Sequence, residues 1–456
     1  MALYSTLNIS EVKSHNRFDA EFYKEEYQEL EAFTNEGQKL SDISETVDLQ
    51  SNGAFKRIFE ILNDNNPKVV PYIRSGNVGD IFLETNDLQF ISEKAHSNLV
   101  KTQTQNGDIL MARKGKIGGA TLIFPEHEGF NSNDNVVNIR LKNPNHLPEY
   151  FVVFWSTKFG LKQVERFATG NVQPWLSMKQ LRMLKTVLVD MPKQQQIKTL
   201  LHKAYNELVN SNNFFKDVQS TIAGKLNFEV DNKGNLNKYI VSNSDLIKVR
   251  RMDAQCMNPE YTKYEDAIKN NSDYQYLREL IEPILKGTQQ DAVSNGDINY
   301  ASIKDIKNYE IVTNSLGLIS ESKNSLANKY DLLLAVTGAT IGKIGIIQKY
   351  DTVTFSGDML RLRAKNIDPY YLLAVLQSSV GQNQFYRWIT GSTNGHLSPS
   401  DVAKTLIPRL GHEEEKIADN MKKYFSSKQK SVELIQTAIN KVETWIEEMN
   451  PLPKQN

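Results

Sequence analysis

The chain has 456 residues, 54 of them basic and 54 acidic, so its formal net charge is zero. This length predicts two or three domains with ample core, and the charge balance counts against a non-specific nucleic-acid coat protein without excluding a specific binder that has local basic patches. The single cysteine, Cys256, excludes an internal disulfide and a cysteine-based metal cluster, and it is predicted to be a small buried apolar residue. The polar N-terminus lacks a signal core and every apolar run is too short to span a bilayer, so we expect a cytoplasmic protein.

The first half of the chain alternates between helical and β-rich texture. Residues 19–33 carry apolar side chains at helical spacing and predict an amphipathic helix. From about 40 to 140, short β-rich runs are separated by Gly, Asn and Pro, which predicts a small irregular β structure. Residues 148–168 are predicted to be helical again, and a polar loop follows at 169–174. A long helix is predicted from about 194 to 226, with one apolar face that must be covered.

The second half repeats this order after a predicted linker at 231–235 and ends in a second long helix, predicted at 413–448. Two helices of similar length, each with one apolar face, can bury those faces on each other. About 33 residues would make a rod of roughly 50 Å. We therefore prefer a helical spacer between two globular domains to the alternative, in which each helix packs only on its own domain.

Sequence landmarks recur in the same order, which indicates an internal duplication. Asp-Ile-Leu and Gly-Lys-Ile-Gly-Gly within 108–119 return as Asp-Leu-Leu and Gly-Ala-Thr-Ile-Gly within 331–342. Further matching pairs, at an offset that drifts slowly from 234 to about 220, are 17–20 with 251–254, 72–78 with 300–306, 138–140 with 361–363, 169–177 with 390–398, and 194–197 with 413–417. Chance rarely produces six such pairs in order. A duplicated unit of this size suggests a target with two half-sites.

The two glycine segments do not have the spacing of a phosphate-binding Walker loop, and their strand-like flanks do not fit a dinucleotide-binding fingerprint. Each is predicted to be a turn in a β hairpin. The first carries three cations, Arg113, Lys114 and Lys116, which suit contact with phosphate or a guanine edge. A solvated basic turn fits the same residues. The candidates at the second turn are Thr337, Thr340 and Lys343.

The polar loops are the stronger candidates for reading bases, because amide and hydroxyl side chains can both donate and accept. The candidates are Thr169, Asn171 and Gln173 in the first copy and Ser392, Thr393, Asn394 and His396 in the second. The loops differ while their flanks agree, as expected if two domains read different half-sites. Arg74 and Asn77, matched to Ser302 and Asp305, form a second divergent patch. Unconstrained surface loops would look the same.

The sequence offers no persuasive catalytic or metal site. Residues 367–371 (Ile-Asp-Pro-Tyr-Tyr) resemble an amino-methyltransferase motif, but they match residues 147–151 and are better interpreted as a helix start with proline in its first turn. The seven histidines lack ligand spacing, and the acidic residues show no nuclease-like cluster. We predict no catalytic residue and no metal ligand.

With its duplicated glycine segments, Thr-Gly loops, Leu-Ser pairs and long helices, the chain resembles the DNA-specificity subunit of type I restriction–modification systems over essentially its whole length. The resemblance implies an α+β fold with a pseudo-two-fold internal repeat, in which two β-rich target recognition domains are joined by two long helices in an antiparallel coiled coil. The implied boundaries are 1–192 for the first recognition domain, 193–230 for the first spacer helix, 231–411 for the second domain and 412–450 for the second helix. Two departures are Arg113-Lys114 before the first glycine, where the family more often has Ser or Thr, and the acidic start of the last helix at 413–415.

The resemblance also implies a non-catalytic subunit that binds a bipartite site in double-stranded DNA and docks two methyltransferase (modification) subunits, with restriction subunits in the full complex. No cofactor is expected in this chain. S-adenosylmethionine would be held by the methyltransferase, and ATP and Mg²⁺ by a restriction subunit. The alternatives are a specificity subunit of a type II system with a fused nuclease-methyltransferase, a stand-alone nuclease or methyltransferase, and a protein-binding adaptor. The sequence does not give the bases recognised, the base methylated or the spacer length.

Overall fold

A computed structural model describes Val12 and residues 17–79, 81–115, 117–170, 172–228, 240–249, 251, 253–322, 325–391 and 395–449. The predicted linker at 231–235 lies outside the described residues. The chain divides into two compact units, one made of Met1–Leu208 and Gln429–Asn456 and the other of Val209–Lys428. Both divisions fall inside the two long helices, Met191–Lys225 and His412–Met449, so each unit contains part of each helix.

The first unit mixes short helices with short strands. Its helices before the long ones are Ala20–Tyr23, Glu25–Thr34, Leu40–Ile43, Leu49–Asn52, Phe55–Leu62, Ser75–Asn77, Glu93–Asn98, Val100–Thr102, Pro125–His127, Pro148–Trp155, Lys158–Phe167 and Met178–Met183. Its strands are Gln38–Lys39, Ser44–Val47, Lys68–Ile73, Gln89–Ser92, Ile109–Ala112, Ala120–Leu122, Asn131–Ser132, Val136–Leu141 and Lys185–Thr186.

The second unit repeats this arrangement with more, shorter strands. Its helices before the last long one are Asn243–Val249, Pro259–Asn271, Leu277–Leu280, Ile303–Asp305, Ile319–Glu321, Gly338–Thr340, Pro369–Gln377, Ser379–Trp388 and Pro399–Val402. Its strands are Asp273–Tyr276, Leu285–Lys286, Ile298–Ala301, Ile306–Lys307, Glu310–Ile311, Leu316–Gly317, Leu326–Asn328, Leu332–Ala335, Ile344–Ile346, Thr352–Phe355, Met359–Leu362 and Leu406–Arg409.

A three-strand antiparallel core is common to both units. In the first, Ile109–Ala112 pairs with Ala120–Leu122 on one side and Val136–Leu141 on the other. In the second, Leu332–Ala335 lies between Ile344–Ile346 and Met359–Leu362. The middle strand is fully buried in each unit, which explains its uninterrupted apolar sequence. The two glycine segments are therefore hairpin turns, as predicted.

The aspartate that opens each glycine segment holds this core together. Asp108 accepts hydrogen bonds from Arg140 Nε at 3.0 Å and from the Gln105 amide at 3.0 Å. Asp331 accepts in the same way from Arg363 Nε at 2.8 Å and from the Asn328 amide at 2.7 Å. The Asp-x-Leu and x-x-Arg landmarks thus recur because they are the two partners of one buried ion pair.

One partner of each buried pair has a shifted pKa. Burial raises the pKa of Asp108, and the hydrogen bond from Arg140 opposes that rise. In the second unit, the hydrogen bond to Asp331 raises the pKa of the Arg363 guanidinium. Each carboxylate is almost fully buried, so its cation is its main compensation for the lost water.

The long helices pack on each other and on the unit core at the same time. In the first unit, Lys193 Nζ lies 5.6 Å from the centre of the Trp445 ring, and Lys430 Nζ lies 3.9 Å from Glu207 Oε1. In the second, Ser211 Oγ donates to the Tyr424 carbonyl at 2.9 Å. Residue numbers rise along one helix as they fall along the other, so the pairing is antiparallel. The coiled-coil form of the pairing stays a prediction.

Each helix half also enters the core of its own unit. That the two helices act as a spacer between the units stays a prediction. Ile197 and Leu201 from one helix and Val442 and Ile446 from the other are buried in the first unit's main cluster. Ile222 and Met421 are buried in that of the second.

Other predictions were only approximate. The helix expected at 19–33 is a 3₁₀ turn, Ala20–Tyr23, followed by Glu25–Thr34. The segment at 148–168 is two helices separated at Thr157, whose side chain caps the second helix. The β-rich region includes the helix Phe55–Leu62, which was not predicted. Cys256 is buried, as expected.

We expect Arg140→Met to lower the free energy of unfolding by roughly 2–4 kcal/mol at neutral pH, because Asp108 is left as a buried charge without its cation. Without Arg140, the pKa of Asp108 in the folded state would rise further. The loss should therefore shrink towards about pH 4, where the carboxyl takes up a proton. Urea unfolding at several pH values, compared with wild type at each pH, measures this.

The exposed neighbour in sequence, Lys142, provides the matched control, because Lys142→Met should leave stability nearly unchanged at every pH. A loss of stability in Arg140→Met that does not depend on pH would contradict the role assigned to the buried carboxylate.

Candidate nucleic-acid interface

The polar loop of the first unit is a closed seven-residue turn, 169–175. The Thr169 amide donates to the Trp175 carbonyl at 3.0 Å, and the Trp175 amide donates to the Thr169 carbonyl at 2.9 Å. Gly170 adopts a φ of 101°, which favours glycine. A Cβ at this position would come within 2.7 Å of the Gln173 carbonyl oxygen. The Thr-Gly landmark is therefore a requirement of loop closure.

This loop docks onto the glycine hairpin. The Leu176 amide donates to the Arg113 carbonyl at 2.9 Å, and Lys114 forms a backbone bridge with Trp175. The hairpin turn rests in turn on the helix Lys158–Phe167, since a Cβ at Gly118 would lie 3.2 Å from Val164 Cγ1. The predicted loop and the predicted turn thus lie side by side.

The second unit builds the same backbone arrangement at equivalent positions. Thr390 and His396 exchange amide-to-carbonyl hydrogen bonds of 2.9 and 2.7 Å, which close the loop 390–396. The Leu397 amide donates to the Val336 carbonyl at 3.0 Å, and Thr337 bridges His396. Gly391 has a φ of 95°, matching Gly170. The loops differ in sequence but share length, closure and docking.

Side chains on this shared backbone differ between the units. Gln173 and Trp175 are exposed in the first loop, and together with Lys114 they line a shallow open depression. In the second unit His396 is half-buried, while Thr340 and Lys343 are exposed on the hairpin turn and Thr337 is half-buried. The Thr169 hydroxyl lies 3.5 Å from the Trp175 carbonyl, so it belongs to the loop closure.

Arg113 is held by the protein. Its Nε donates to the Asp134 carbonyl at 3.0 Å, and its terminal nitrogen lies 3.5 Å from Asp48 Oδ2. Its side chain is only 11% exposed. A guanidinium held this way fixes the hairpin against its neighbours, which leaves Lys114 as the better-placed of the two cations described on this turn.

A second turn adjoins the hairpin in the first unit, because a Cβ at Gly115 would lie 3.6 Å from Ser75 Oγ. Within this turn, the buried Asn77 accepts from the Arg74 amide at 2.9 Å and donates to the Glu84 and Asp87 carbonyls. Arg74 itself pairs with Asp87 at 2.8 Å. Asn77 thus has a turn-closing role, and the partly exposed Arg74 is the more accessible candidate.

The equivalent turn of the second unit has the same design with different residues. Asp305 accepts from the Ser302 amide and hydroxyl, both at 2.8 Å. Asn77 and Asp305 therefore differ in sequence but accept the same backbone hydrogen bond in turns of the same form. The hydroxyl of Ser302 is used by this cap.

Five predicted residues lie outside the described part of the chain: Lys116, Asn171, Ser392, Thr393 and Asn394. The structure also adds residues that sequence reasoning missed. Trp175 occupies the loop-closing position matched by His396, and its place directly before the Leu-Ser landmark was the available signal. Asn135 accepts from the Arg113 amide at 2.9 Å through its carbonyl, which brings the turn at 133–135 to the same patch.

Two other features, a metal site and a membrane-spanning helix, are not found among the described residues. No group of three or more His, Cys, Asp or Glu side chains among them could hold a metal ion. Within the same residues, no helix combines the length and the apolarity needed to cross a membrane.

Comparison with known proteins gives one extensive sequence match. A family model described as "Type I restriction modification DNA specificity domain" matches residues 34–213 and again residues 277–444. The two matches cover most of the chain, and each contains one hairpin with its closed loop. No curated protein sequence matches the chain.

Solved structures provide more distant similarity. The S subunit of a type I restriction–modification system from M. genitalium is 13% identical, with 92% of this chain and 96% of that chain covered and a TM-score of 0.41. The HsdS subunit from Thermoanaerobacter tengcongensis is 12% identical, with 89% and 95% covered and a TM-score of 0.29.

We expect Gly170→Ala to open the first loop, because the new Cβ meets the Gln173 carbonyl in a backbone conformation that costs alanine about 1–3 kcal/mol. In the closed loop the backbone amides of Thr169 and Trp175 are protected, because each donates to the other residue's carbonyl. Hydrogen exchange of both amides should become faster in the variant. Gly224→Ala is the control, since a Cβ there meets open space on a helix. Unchanged exchange in Gly170→Ala would contradict the closure described above.

Proposed function

Since the chain belongs to the family of type I restriction–modification DNA specificity domains, we propose that it reads a bipartite site in double-stranded DNA, one half-site with each unit. It carries out no chemistry of its own. It docks two modification subunits, which bind S-adenosylmethionine and methylate the DNA. Restriction subunits that use ATP and Mg²⁺ complete the assembly, which acts in the cytoplasm.

One observation carries the two-site proposal: the same hydrogen-bonded loop and hairpin occur in both units with different accessible side chains. A common backbone positions the reading surface, while the varying side chains select the bases. A protein with a single target would have no need for two such surfaces with different residues.

Charge is distributed in a way that fits this proposal. The chain is neutral overall, yet Lys114 and Lys343 lie on the two hairpin turns, and Arg74 lies on the turn beside the first. Cations at these places can contact phosphates without giving the whole protein a general affinity for nucleic acid. The long helices would supply the fixed spacing of a split site and a surface for the modification subunits.

Base-resolution methylome mapping of the host, with and without this gene, tests the proposal. We expect one bipartite motif, two short specific sequences separated by a fixed spacer, to lose methylation when the gene is deleted. The purified chain should transfer no methyl group until the modification subunit is added. Methyl transfer by the chain alone, or a motif with only one continuous part, would contradict the proposal.

We expect Lys343→Ala, in the complex with the modification subunit, to weaken DNA binding about equally for all sequences. It should also reduce the slope of log affinity against log salt by about one, as for loss of a single phosphate contact. The measurement is fluorescence anisotropy over a range of salt concentrations.

The control for this experiment is Lys365→Ala. Lys365 is exposed in the same unit. It lies three residues after Leu362, which is the end of the strand Met359–Leu362 farther from the hairpin turn. Its removal should leave the slope unchanged. Equal effects from the two lysines would place the phosphate contact elsewhere.

A further inference from the structure

Residues 175 and 396 occupy one structural position in the two units. Each is the last residue of a seven-residue loop, each is hydrogen-bonded to the threonine that opens the loop, and each forms a bridge with the hairpin turn. The residue that follows, Leu176 or Leu397, is fully buried and anchors the loop. Backbone placement is therefore fixed in both units, and only the side chain is free to differ.

The side chain at this position is an aromatic ring in both units, but the two rings differ in size and chemistry. Trp175 leaves 40% of its surface exposed, whereas Leu176, which follows it, is completely buried. Its indole offers a flat apolar face and one N–H donor. His396 offers a smaller ring with two nitrogens that can donate or accept.

The residues around Trp175 suit contact with DNA, which presents charged phosphates and base edges that are partly apolar. The indole shares its open depression with the Lys114 cation and the Gln173 amide. An amide can bond a base edge, a cation a phosphate or guanine, and an apolar ring the methyl group of thymine. At the same place in the second unit, Thr337 stands where the first has Lys114.

We propose that Trp175 and His396 are matched specificity-determining residues, each directed at the DNA of its own half-site. Trp175 makes an apolar ring contact with one base step, and His396 makes a hydrogen bond to a base edge. This proposal rests on the function proposed above and adds to it the residues by which the two units differ in what they read. Exchanging the two rings should therefore change the two half-sites independently.

The test uses the complex of the full chain with its modification subunit and a DNA library randomised in both half-sites. Trp175→His should change the base preference at one position of a single half-site by about tenfold or more, the range for loss of a good base contact. His396→Trp should do the same in the other half-site only. Methylated products are sequenced to read both halves of each molecule.

His412→Trp is the matched control for His396→Trp, because it makes the same substitution at an exposed residue at the start of the last helix. It should leave both half-sites unchanged. Uniform loss of methylation at all sequences, or unchanged preference in both exchanged variants, would overturn the assignment of these residues. The function proposed for the whole chain would stand in either case, provided that the wild-type complex still selects a bipartite motif.

A measurement on the wild-type chain avoids any effect of the substitutions on folding. Duplexes with 5-iododeoxyuridine at single thymine positions are irradiated in the complex, and the cross-linked peptide is sequenced. We expect a cross-link to Trp175 from one half-site and none to Trp175 from the other. Cross-links that avoid the peptide containing Trp175 at every position tested would overturn the proposal.

Discussion

An equivalent buried ion pair in each unit supports the surface formed by the hairpin turn and the closed loop. Asp108 with Arg140, and Asp331 with Arg363, join neighbouring strands of the three-strand core and also fix the chain entering the middle strand. The hairpin turn is the continuation of that strand. Because the closed loop is hydrogen-bonded to the hairpin, its position is set through the hairpin by the core.

This arrangement separates stability from selectivity. The bonds that close and dock the loops are made by backbone amides and carbonyls, which are the same for nearly every residue type. Because these bonds use backbone atoms, the exposed side chains of Gln173 and Trp175 can change without breaking the loop closure. The exceptions are the glycines of the Thr-Gly pairs, where the backbone conformation itself excludes a side chain.

Much of the fold followed from sequence because its signals were local and occurred twice. The hairpins, the long helices and the proline-led helices Pro148–Trp155 and Pro369–Gln377 all depend on spacing that one segment carries alone. The site was harder to predict, because exposure depends on distant partners. In the sequence Arg113 resembled a free cation, but in the structure Asp48 and the Asp134 carbonyl hold it. Asn77 resembled a base-reading residue, but its side chain closes a turn. Trp175 was missed because its place before the Leu-Ser landmark marks the position but not the exposure of its ring, which depends on residues distant in sequence.

The distribution of the long helices over the two units has a consequence for synthesis on the ribosome. Ala438, Val442 and Ile446 belong to the core of the unit that contains the N-terminal half of the chain. That core stays open while the whole second unit is being made, and it closes only when the last helix emerges. An early stop codon that removes this helix would thus damage the unit farthest from it in sequence. A nascent chain with so much exposed apolar surface would depend on chaperones for longer than its domain size suggests.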